Sequence, residues 1–486
     1  MGRCCGLLIL VVVLMCHGWA VAQTHFYIDQ ANGHNTSTTA GTEADPFKSI
    51  TYAISTMVAR STPDPWVVHI KAGTYDADPA KPANEHEVFP IELRSGMTLQ
   101  GDDGAANCVI SGAFNPNSNV ALVHGESVQS LVIKHLTLRD MIRTGGTQYG
   151  GGAELVQCTG SVETCIFSKD QALFGGGLWL SLAPSGQFFI RSNTFSECKV
   201  SGSYVRTGGG FYVQGDLSGA IEGNTFIGNS SHGGAGFHVA GSLNGDVLTN
   251  TFVENSASRS VGDALYYPAI YGGGFYVSAN LVGNVVSNVF TRNLAYSYNT
   301  IGLGYSRGGA FYVGGSFTGS ITGNMFSGNL ISGRISGCES YGGAICIMGP
   351  ITGDIAANVY AKNINDPSVS WGGAIYLGGS SGDPNNARIF NNVFLYNSVG
   401  STTSKLRGSA CYSKQDAIFG WNTFVGGLID ESVLNIADSA AGSVVRGNIF
   451  SLVDTAIWEE GALDLPITYN DFDGAIDVLY RNGQPM

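Results

Sequence analysis

Short apolar runs, broken by glycine and asparagine at short intervals, extend over most of the chain. The clearest unit is residues 308–329, GGAFYVGGSFTGSITGNMFSGN, and similar 22-residue copies begin at residues 208, 234, 272 and 342. Apolar positions alternate locally at period two, and the glycines interrupt them too often for a helix. A fixed unit joined by linkers of variable length is typical of a stacked solenoid. The pattern therefore predicts a parallel β-helix with three short strands and tight glycine corners in each coil.

Equal offsets in a solenoid lie above one another at strand spacing, so the copies can be compared as columns. One predicted interior column is Leu178, Phe211, Phe237, Phe275, Phe311, Ile345, Ile375 and Cys411. A second is Phe167, Phe195, Phe226, Phe252, Phe290, Phe326, Tyr360, Phe394, Phe424, Phe450 and Phe472, which indicates about eleven coils or more. An asparagine stands two residues before most of these rings, at Asn193, Asn224, Asn250, Asn288, Asn324, Asn358, Asn392, Asn422, Asn448 and Asn470. Because stacked amides can bond to one another, we interpret these asparagines as a structural ladder.

The first part of the chain has a different pattern. Apolar residues from Ile50 to Val58 follow Ser49 at helical spacing, which predicts a short amphipathic helix with Ser49 as its cap. Residues 26–28 and 66–70 are typical of strands. The first coil of a solenoid exposes apolar interior and unpaired strand edges, so it needs a cap. We predict a capping segment with the first coils at 23–112 and the parallel β-helix at 113–486.

The chain begins with features of a cleaved secretory signal peptide. Residues 1–22 contain Arg3, an apolar run over 7–15, and Ala20 and Ala22 at a cleavage-like site. Later runs fall short of the ~20 apolar residues that a membrane span requires. We therefore predict cleavage near Ala22 and a secreted or cell-surface protein without a transmembrane segment.

Charge and cysteine content exclude some classes of partner. The net charge of −13 argues against nucleic acid and anionic lipid, and disfavours a polyanionic substrate unless a local basic groove overrides it. The cysteines after residue 22 lack metal-like spacing; Cys158 with Cys165, and Cys338 with Cys346, are conceivable local disulfides. No metal site and no cofactor are predicted, and calcium would enter only if the protein were a lyase.

The step from Phe-x-x-Asn to a following Gly-Gly-Ala or Gly-Gly-Gly recurs through the repeats, as in Phe290, Asn293 and Ala310-Phe311. It resembles the repeat of the chlamydial polymorphic outer-membrane proteins. More broadly, with DPFKSITYAI at 45–54 and VVHIKAGTY at 67–75, the chain resembles secreted right-handed parallel β-helix proteins of the pectin-lyase-like superfamily. The resemblance implies an all-β, single-stranded, right-handed parallel β-helix with a short N-terminal α/β cap. It specifies no function, because that superfamily contains lyases, hydrolases, adhesins and phage tailspikes.

Two columns are candidates for ligand binding. Strand alternation predicts that the residue between two inward side chains points outward, as in Tyr312 between Phe311 and Val313. This outward column is Trp179, Tyr212, His238, Tyr276, Tyr312, Cys346, Tyr376 and Tyr412. The second column precedes the glycines: Phe174, Thr207, His232, Tyr271, Arg307, Tyr341, Trp371 and Arg407. Exposed aromatic rings with hydroxyl edges suit stacking on sugar rings or docking of a protein, and they equally suit a stabilising cross-strand ladder. Tyrosines at 204, 266, 267, 296, 298 and 305 in the linkers are expected to form a wall beside the outward column.

Enzymatic signals are weaker. Asp216, Asp246 and Asp354 have no acidic residue at the matching offset of an adjacent copy. Candidate bases are Arg307 with Arg407, His232 with His238, and the group Lys134, His135, Arg139, Asp140 and Arg143. We therefore predict non-catalytic binding or adhesion to a glycan or protein. The alternatives are a polysaccharide lyase or glycoside hydrolase, and a structural spacer, which is favoured if loops cover the aromatic column.

Overall fold

The computed structural model describes residues 23–36, 40–115, 119–143, 148–200, 202, 206–258, 269–297, 305–333, 339–367, 369–379, 387–400, 406–426, 432–461, 464–475, 477–481 and 484–485. The predicted signal peptide lies outside these residues. Within them there is one helix and a long stack of strands that pair in parallel from one coil to the next. The chain is a right-handed parallel β-helix, as the repeat pattern and the resemblance predicted.

Three long sheets form the sides of the helix, and we call them sheets A, B and C. The strands of sheet A are Thr24–Ile28, Trp66–Ile70, Thr98–Gly101, Leu131–Lys134, Gly160–Glu163, Phe188–Arg191, Ile221–Glu222, Val247–Leu248, Val285–Val286, Ile321–Thr322, Asp354–Ala356, Ala387–Phe390, Ala417–Gly420, Val444–Arg446 and Ile467–Thr468. The strands of sheet B are Gly73–Asp76, Cys108–Ser111, Thr137–Arg139, Ile166–Ser168, Thr194–Ser196, Thr225–Ile227, Thr251–Val253, Val289–Thr291, Met325–Ser327, Val359–Ala361, Val393–Leu395, Thr423–Val425, Ile449–Ser451 and Asp471–Asp473.

Sheet C follows the glycine corner of each repeat. Its strands are Ile91–Glu92, Val123–Glu126, Ala153–Cys158, Leu178–Leu182, Phe211–Gln214, Phe237–Val239, Phe275–Val277, Phe311–Val313, Ile345–Ile347, Ile375–Leu377, Cys411–Ser413, Ser432–Ile436, Thr455–Glu459, Asp477–Arg481 and Gln484–Pro485. Only the last pair among these described strands is antiparallel.

Three shorter sheets occupy the middle coils. Sheet D contains Gln171–Ala172, Lys199–Val200, Ser230–Ser231, Ser256–Ser258, Leu294–Ser297, Leu330–Gly333, Ile364–Asn365 and Ser398–Val399. Sheet E contains Leu217–Ser218, Leu243–Asn244, Leu281–Val282, Phe317–Thr318 and Ile351–Thr352. Sheet F contains Ile270–Tyr271, Tyr305–Arg307, Glu339–Tyr341, Val369–Trp371 and Leu406–Arg407. A middle coil therefore has up to six strands, and the prediction of three is wrong. Sheet E adds a short strand inside each repeat, and parts of the linkers pair from coil to coil in sheets D and F.

The interior is filled by the predicted columns. Phe311 of sheet C lies directly above Phe275 at a ring distance of 4.6 Å, and Phe326 of sheet B lies 4.9 Å from Phe290. All four side chains are fully buried in one continuous core. Stacked rings at this spacing bury a large apolar area while keeping one favourable geometry along the whole column. Both interior columns are confirmed.

The asparagine ladder is also confirmed as structural. Asn288 donates from its backbone N–H and from Nδ2 to Oδ1 of Asn324 at 2.8 and 3.0 Å. Its Nδ2 also donates to the carbonyl oxygen of Val247 in the preceding coil. A second ladder runs through the asparagines of the Phe-x-x-Asn steps, where Asn293 makes the same bonds to Asn329. These amides satisfy backbone groups that the corners would otherwise leave buried without partners.

The predicted N-terminal helix is present at Ile50–Ala59, with Ile50, Ala53, Ile54 and Met57 buried. It packs against the first strands of sheets A and C. Ser49 occupies the N-cap position but makes no side-chain cap bond. The buried carboxyl of Glu87 accepts the N–H groups of Ile50 and Thr51 instead, at 2.7 and 2.8 Å. Because Glu87 lies 37 residues from Ile50, the sequence next to the helix contains no signal for this cap.

Membrane-spanning helices are absent from the described residues. The predicted domain boundaries at residues 22 and 112 stay predictions.

Candidate binding face

The predicted outward column lies on sheet C in the expected register. Strand pairing places Tyr212 beside His238, His238 beside Tyr276, and Tyr276 beside Tyr312. The same row continues through Cys346, Tyr376 and Tyr412. The side chains from Tyr276 to Tyr412 in this row belong to a cluster separate from the main core, so they point away from the interior of the β-helix.

The expected exposure of this column is wrong. Tyr312, Tyr376 and Tyr412 are only 5%, 2% and 2% exposed, and Trp179, His238 and Cys346 are buried as well. Tyr212 and Tyr276 are half-buried. Covering of this column is the observation expected for the structural-spacer alternative.

The column on sheet C is covered by an outer layer of aromatic rings, which belong to residues just before the glycine corner of each coil. Tyr271 of sheet F stacks on Tyr312 at 4.7 Å, and Tyr341 meets Tyr376 edge to face at 4.7 Å. In earlier coils, Phe174 lies over Tyr212 at 5.0 Å and Tyr149 over Trp179 at 4.8 Å. The two predicted columns therefore pack together instead of standing side by side.

Sheet F carries the outer layer because its strands alternate. Ile270, Ser306, Ser340 and Ser370 are buried on one side, and Ile270 joins Ala257, Ala295 and Ile331 of sheet D in a small separate core. The next residue of each strand faces the other way, toward sheet C. We call the half-buried row Tyr271, Arg307, Tyr341 and Trp371 the aromatic wall.

Of two other members of the predicted row, His232 is displaced and Arg407 keeps its register. Gly233, not His232, pairs with Tyr271, while Nδ1 of His232 accepts the N–H of Arg206. Arg407 pairs with Trp371 in the strand register, but its side chain lies outside the described residues. Of the linker tyrosines, Tyr296 and Tyr305 are described, in sheets D and F, and the other four lie outside the described residues.

Arg307 lies at the centre of the aromatic wall. Its Cζ atom is 5.7, 5.6, 5.8 and 5.3 Å from the ring centres of Tyr271, Tyr305, Tyr312 and Tyr341. Nη1 donates to the hydroxyl of Tyr312 at 3.2 Å. This geometry permits several cation–π contacts at once. Among the described residues, no carboxylate forms an ion pair with Arg307.

Burial controls the protonation of the aromatic wall and the rings beneath it. It raises the pKa of Tyr312, Tyr341 and Tyr376 well above that of a free phenol. Their hydroxyls therefore remain protonated at physiological pH and can donate hydrogen bonds. Among the described side chains, the face offers aromatic surface, protonated phenol groups and one guanidinium.

His238 makes a buried polar contact within the column. Its Nδ1 lies 2.7 Å from Oγ1 of Thr207 and its Nε2 lies 2.8 Å from Oγ of Ser278, while its ring stacks on Tyr276 at 4.1 Å. Burial lowers the pKa of His238 to about 3. The imidazole is neutral in the folded protein.

This burial predicts an acid-sensitive step in stability. The unfolded histidine takes up a proton near pH 6.5 and the folded one does not, so the stabilisation is present above pH 6.5 and is lost as the pH falls toward 3. Between pH 7 and pH 5.5 we expect His238 to contribute a loss of about 1 kcal/mol in the free energy of unfolding. Urea unfolding of wild type and His238→Tyr at both pH values measures it. Equal losses in the two proteins would contradict the prediction.

The outward row continues toward the N-terminus with polar residues that sequence reasoning missed. Glu154 pairs with Trp179, His124 with Glu154, and Glu92 with His124. Nδ1 of His124 lies 2.8 Å from Oε2 of Glu92, and buried Arg143 donates to Oε2 of Glu154 at 2.8 Å. The glycines before Ala153 resemble the corner of the later repeats and could have indicated this coil.

The other predicted chemical residues have structural partners. Asp216 and Asp246 accept backbone N–H groups, and Asp354 pairs with Arg388. Arg143 is buried and bonds to carbonyl groups as well as Glu154, and the remainder of its predicted group is partly or well exposed.

The structure also tests the predicted disulfides. Cys158 and Cys165 are both free and buried, so the predicted disulfide between them is wrong. Cys338 lies outside the described residues. Among the described residues, no group of three or more His, Cys, Asp or Glu is arranged to hold a metal ion.

Comparisons with solved structures give low similarity. The native and selenomethionine crystal structures of a GH136 lacto-N-biosidase from Eubacterium ramulus are 10% and 11% identical to this chain, each with a TM-score of 0.32. The match covers 93% of this chain and 68% of the enzyme chain. No functional conclusion follows from a TM-score this low. None of the curated proteins matches the sequence.

A protein-family model gives a clearer result. The model described as "Protein of unknown function (DUF1565)" matches residues 31–339, which is more than half of the chain and includes the aromatic wall as far as Arg307. The comparisons give no support specific to the chlamydial repeats or to the pectin-lyase-like superfamily. The chain belongs to the DUF1565 family.

Proposed function

We propose that this protein is a secreted, non-catalytic binding protein that holds an elongated glycan along the aromatic wall. The observation that supports this best is the half-buried row of Tyr271, Arg307, Tyr341 and Trp371, which packs on the buried inner column of rings on sheet C. Sugar rings pack their C–H faces on aromatic rings, while phenol and guanidinium groups bond to hydroxyls. Because the row repeats once per coil, a ligand with repeating units can contact successive coils.

Rigidity of the wall favours binding. Trp371 and Tyr341 stack at 4.8 Å with a 6° angle between their planes, and Tyr341 makes an edge-to-face contact with Tyr376 at 4.7 Å. Outer rings that are held in place by the inner column lose little conformational entropy when a ligand binds. The inner column thus contributes to binding by positioning the outer rings, although most of its members are too buried to touch a ligand.

Two other functions have one supporting observation each. Covering of the inner column favours a structural spacer, in which the paired layers only stabilise the solenoid. A glycoside hydrolase is favoured by Glu92 and Glu154, which flank His124 two coils apart on the row that continues the aromatic column. Two strand spacings are about 9.6 Å, near the upper limit for the carboxylate pair of an inverting enzyme. Localisation outside the cell and the finer family resemblances stay predictions.

Binding can be tested with the chain from Gln23 onward and a panel of oligosaccharides, by titration calorimetry. We expect the double variant Tyr341→Ala and Trp371→Ala to bind about five- to hundredfold more weakly, because each lost ring contact contributes about 0.5–1.5 kcal/mol. Trp421→Ala is the matched control, since Trp421 is 60% exposed and precedes a strand of sheet B. The same mixtures are followed for unsaturated and reducing-end products.

Several outcomes separate the three functions. Equal affinity of the double variant and the Trp421→Ala control would exclude the aromatic wall as the binding site. Cleavage products that disappear in Glu154→Gln would establish the hydrolase. Absence of both binding and cleavage across the panel, in a protein with an unchanged thermal melt, would leave the spacer.

A further inference from the structure

Most of the arginines outside the wall whose side chains the structure describes lie within 4 Å of a carboxylate. Arg143 contacts Glu154 at 2.8 Å, Arg292 contacts Glu254 at 2.6 Å, and Arg388 contacts Asp354 at 2.7 Å. The last two pairs include well-exposed arginines, where an unpaired charge would cost little. Arg307 is more buried and yet has no such partner among the described residues.

The environment of Arg307 leaves its hydrogen-bonding capacity incomplete. A guanidinium carries five N–H donors, and the described contacts use one of them, from Nη1 to Tyr312. Nε is buried without a hydrogen-bond partner in the described structure. Four aromatic rings within 5.8 Å of Cζ stabilise the charge but accept no strong hydrogen bond. A desolvated cation of this kind gains most from an anion that also accepts hydrogen bonds.

The neighbouring carboxylate has another partner. Glu339 lies on the next strand of sheet F, where it pairs with Tyr305 in the register. Its Oε2 accepts the hydroxyl of Tyr341 at 2.6 Å, so it is directed to the phenol. Glu339 lowers the local positive potential without satisfying the donors of Arg307.

We propose that Arg307 binds the carboxylate of an acidic sugar unit, of the uronic acid class, in a glycan that lies along the aromatic wall. This inference rests on the proposed glycan-binding function. A carboxylate matches the planar fork of one guanidinium, and the flanking half-buried Tyr271 and Tyr341 provide aromatic surface to the same sugar unit and its neighbours. A densely sulfated polyanion is disfavoured, because the protein carries a net charge of −13 and the wall has this single described cation.

The test compares uronic-acid oligosaccharides with their carboxyl-reduced, neutral counterparts of the same linkage and length. We expect the wild-type protein to bind the acidic ligands about ten- to hundredfold more tightly, the factor given by a charge-assisted hydrogen bond. Arg307→Gln should weaken binding of the acidic ligands by this factor more than binding of the neutral ligands, so that the difference between them disappears. Glu339→Gln should act in the opposite direction and tighten binding of the acidic ligands by about twofold.

The possible outcomes distinguish carboxylate recognition by Arg307 from the glycan binding on which this inference rests. Equal affinity for acidic and neutral ligands, unchanged in Arg307→Gln, would overturn the role of Arg307 and leave glycan binding intact. Loss of both affinities in an Arg307→Gln protein that melts at the wild-type temperature would assign Arg307 a positioning role and overturn carboxylate recognition. Failure of wild type to bind any of these ligands would overturn both. The result that supports the inference is selective loss of acidic-ligand affinity.

Discussion

Asn324→Ala is expected to lower the free energy of unfolding by at least about 3 kcal/mol. Oδ1 of Asn324 accepts two bonds from Asn288, and Nδ2 donates to the carbonyl oxygen of Val285 at 2.8 Å. The asparagine is 2% exposed, so water cannot replace these contacts without opening the corner. Each donor or acceptor left buried without a partner costs about 1–3 kcal/mol.

The measurement is urea unfolding followed by far-UV circular dichroism at neutral pH. Asn244→Ala is the matched control, because Asn244 belongs to the same repeats but is exposed on sheet E. We expect the control to unfold within about 0.5 kcal/mol of the wild-type protein. A solenoid is stabilised by contacts between neighbouring coils, so the variant should also unfold locally first. Similar unfolding of both variants would show that the ladder does not stabilise the fold.

The interior columns and the asparagine ladder could be predicted from sequence because they depend on a periodic pattern. Phe311 and Asn324 recur at fixed offsets, and strand spacing alone places each copy above the last. Glu87 could not be predicted as the cap of the helix, since nothing near Ser49 indicates a partner 37 residues away. Sequence reasoning succeeds here where a contact follows the repeat.

In the candidate site too, contacts that depend on the variable linkers could not be predicted from the repeat. The outward direction of Tyr312 followed from strand alternation, but its burial depends on Tyr271, which belongs to a linker of variable length. The sequence alone does not reveal that linker strands pair into sheet F and turn one face toward sheet C. The pairing of Gly233 with Tyr271 could not be predicted either, because it depends on the same linker. The continuation of the row to Glu154 was indicated only by the glycines before Ala153. The place of Arg307 among these aromatic residues followed from the repeat, but the sequence could not predict that none of the described carboxylates pairs with it.

Asp170 departs from the second asparagine ladder and gives the other large expected effect. It stands at the Phe-x-x-Asn offset after Phe167, and its Oδ1 accepts the N–H of Met141 at 3.0 Å, as the ladder asparagines do in later coils. Its Oδ2 is buried without a hydrogen-bond partner in the described structure. In Asn229 the equivalent atom is an amide nitrogen that donates to the carbonyl oxygen of Phe195. Burial raises the pKa of Asp170 well above that of a free carboxyl, and the charge of Asp140 adds to the effect.

We expect Asp170→Asn to stabilise the protein, and to do so more strongly as the pH rises. Below about pH 3.9 both the folded and the unfolded carboxyl are protonated, so the substitution only replaces the carboxyl O–H donor with an amide N–H donor. Above that pH the unfolded carboxyl ionises while the folded one stays neutral, which costs the wild-type protein about 1.4 kcal/mol per pH unit up to the folded pKa. Thermal unfolding of Asp170→Asn at pH 4.5 and pH 7.5, with exposed Asp438→Asn as the control, measures the gain. A gain independent of pH would show that Asp170 is ionised in the folded state, and a loss would show that its carboxyl has a partner that an amide cannot replace.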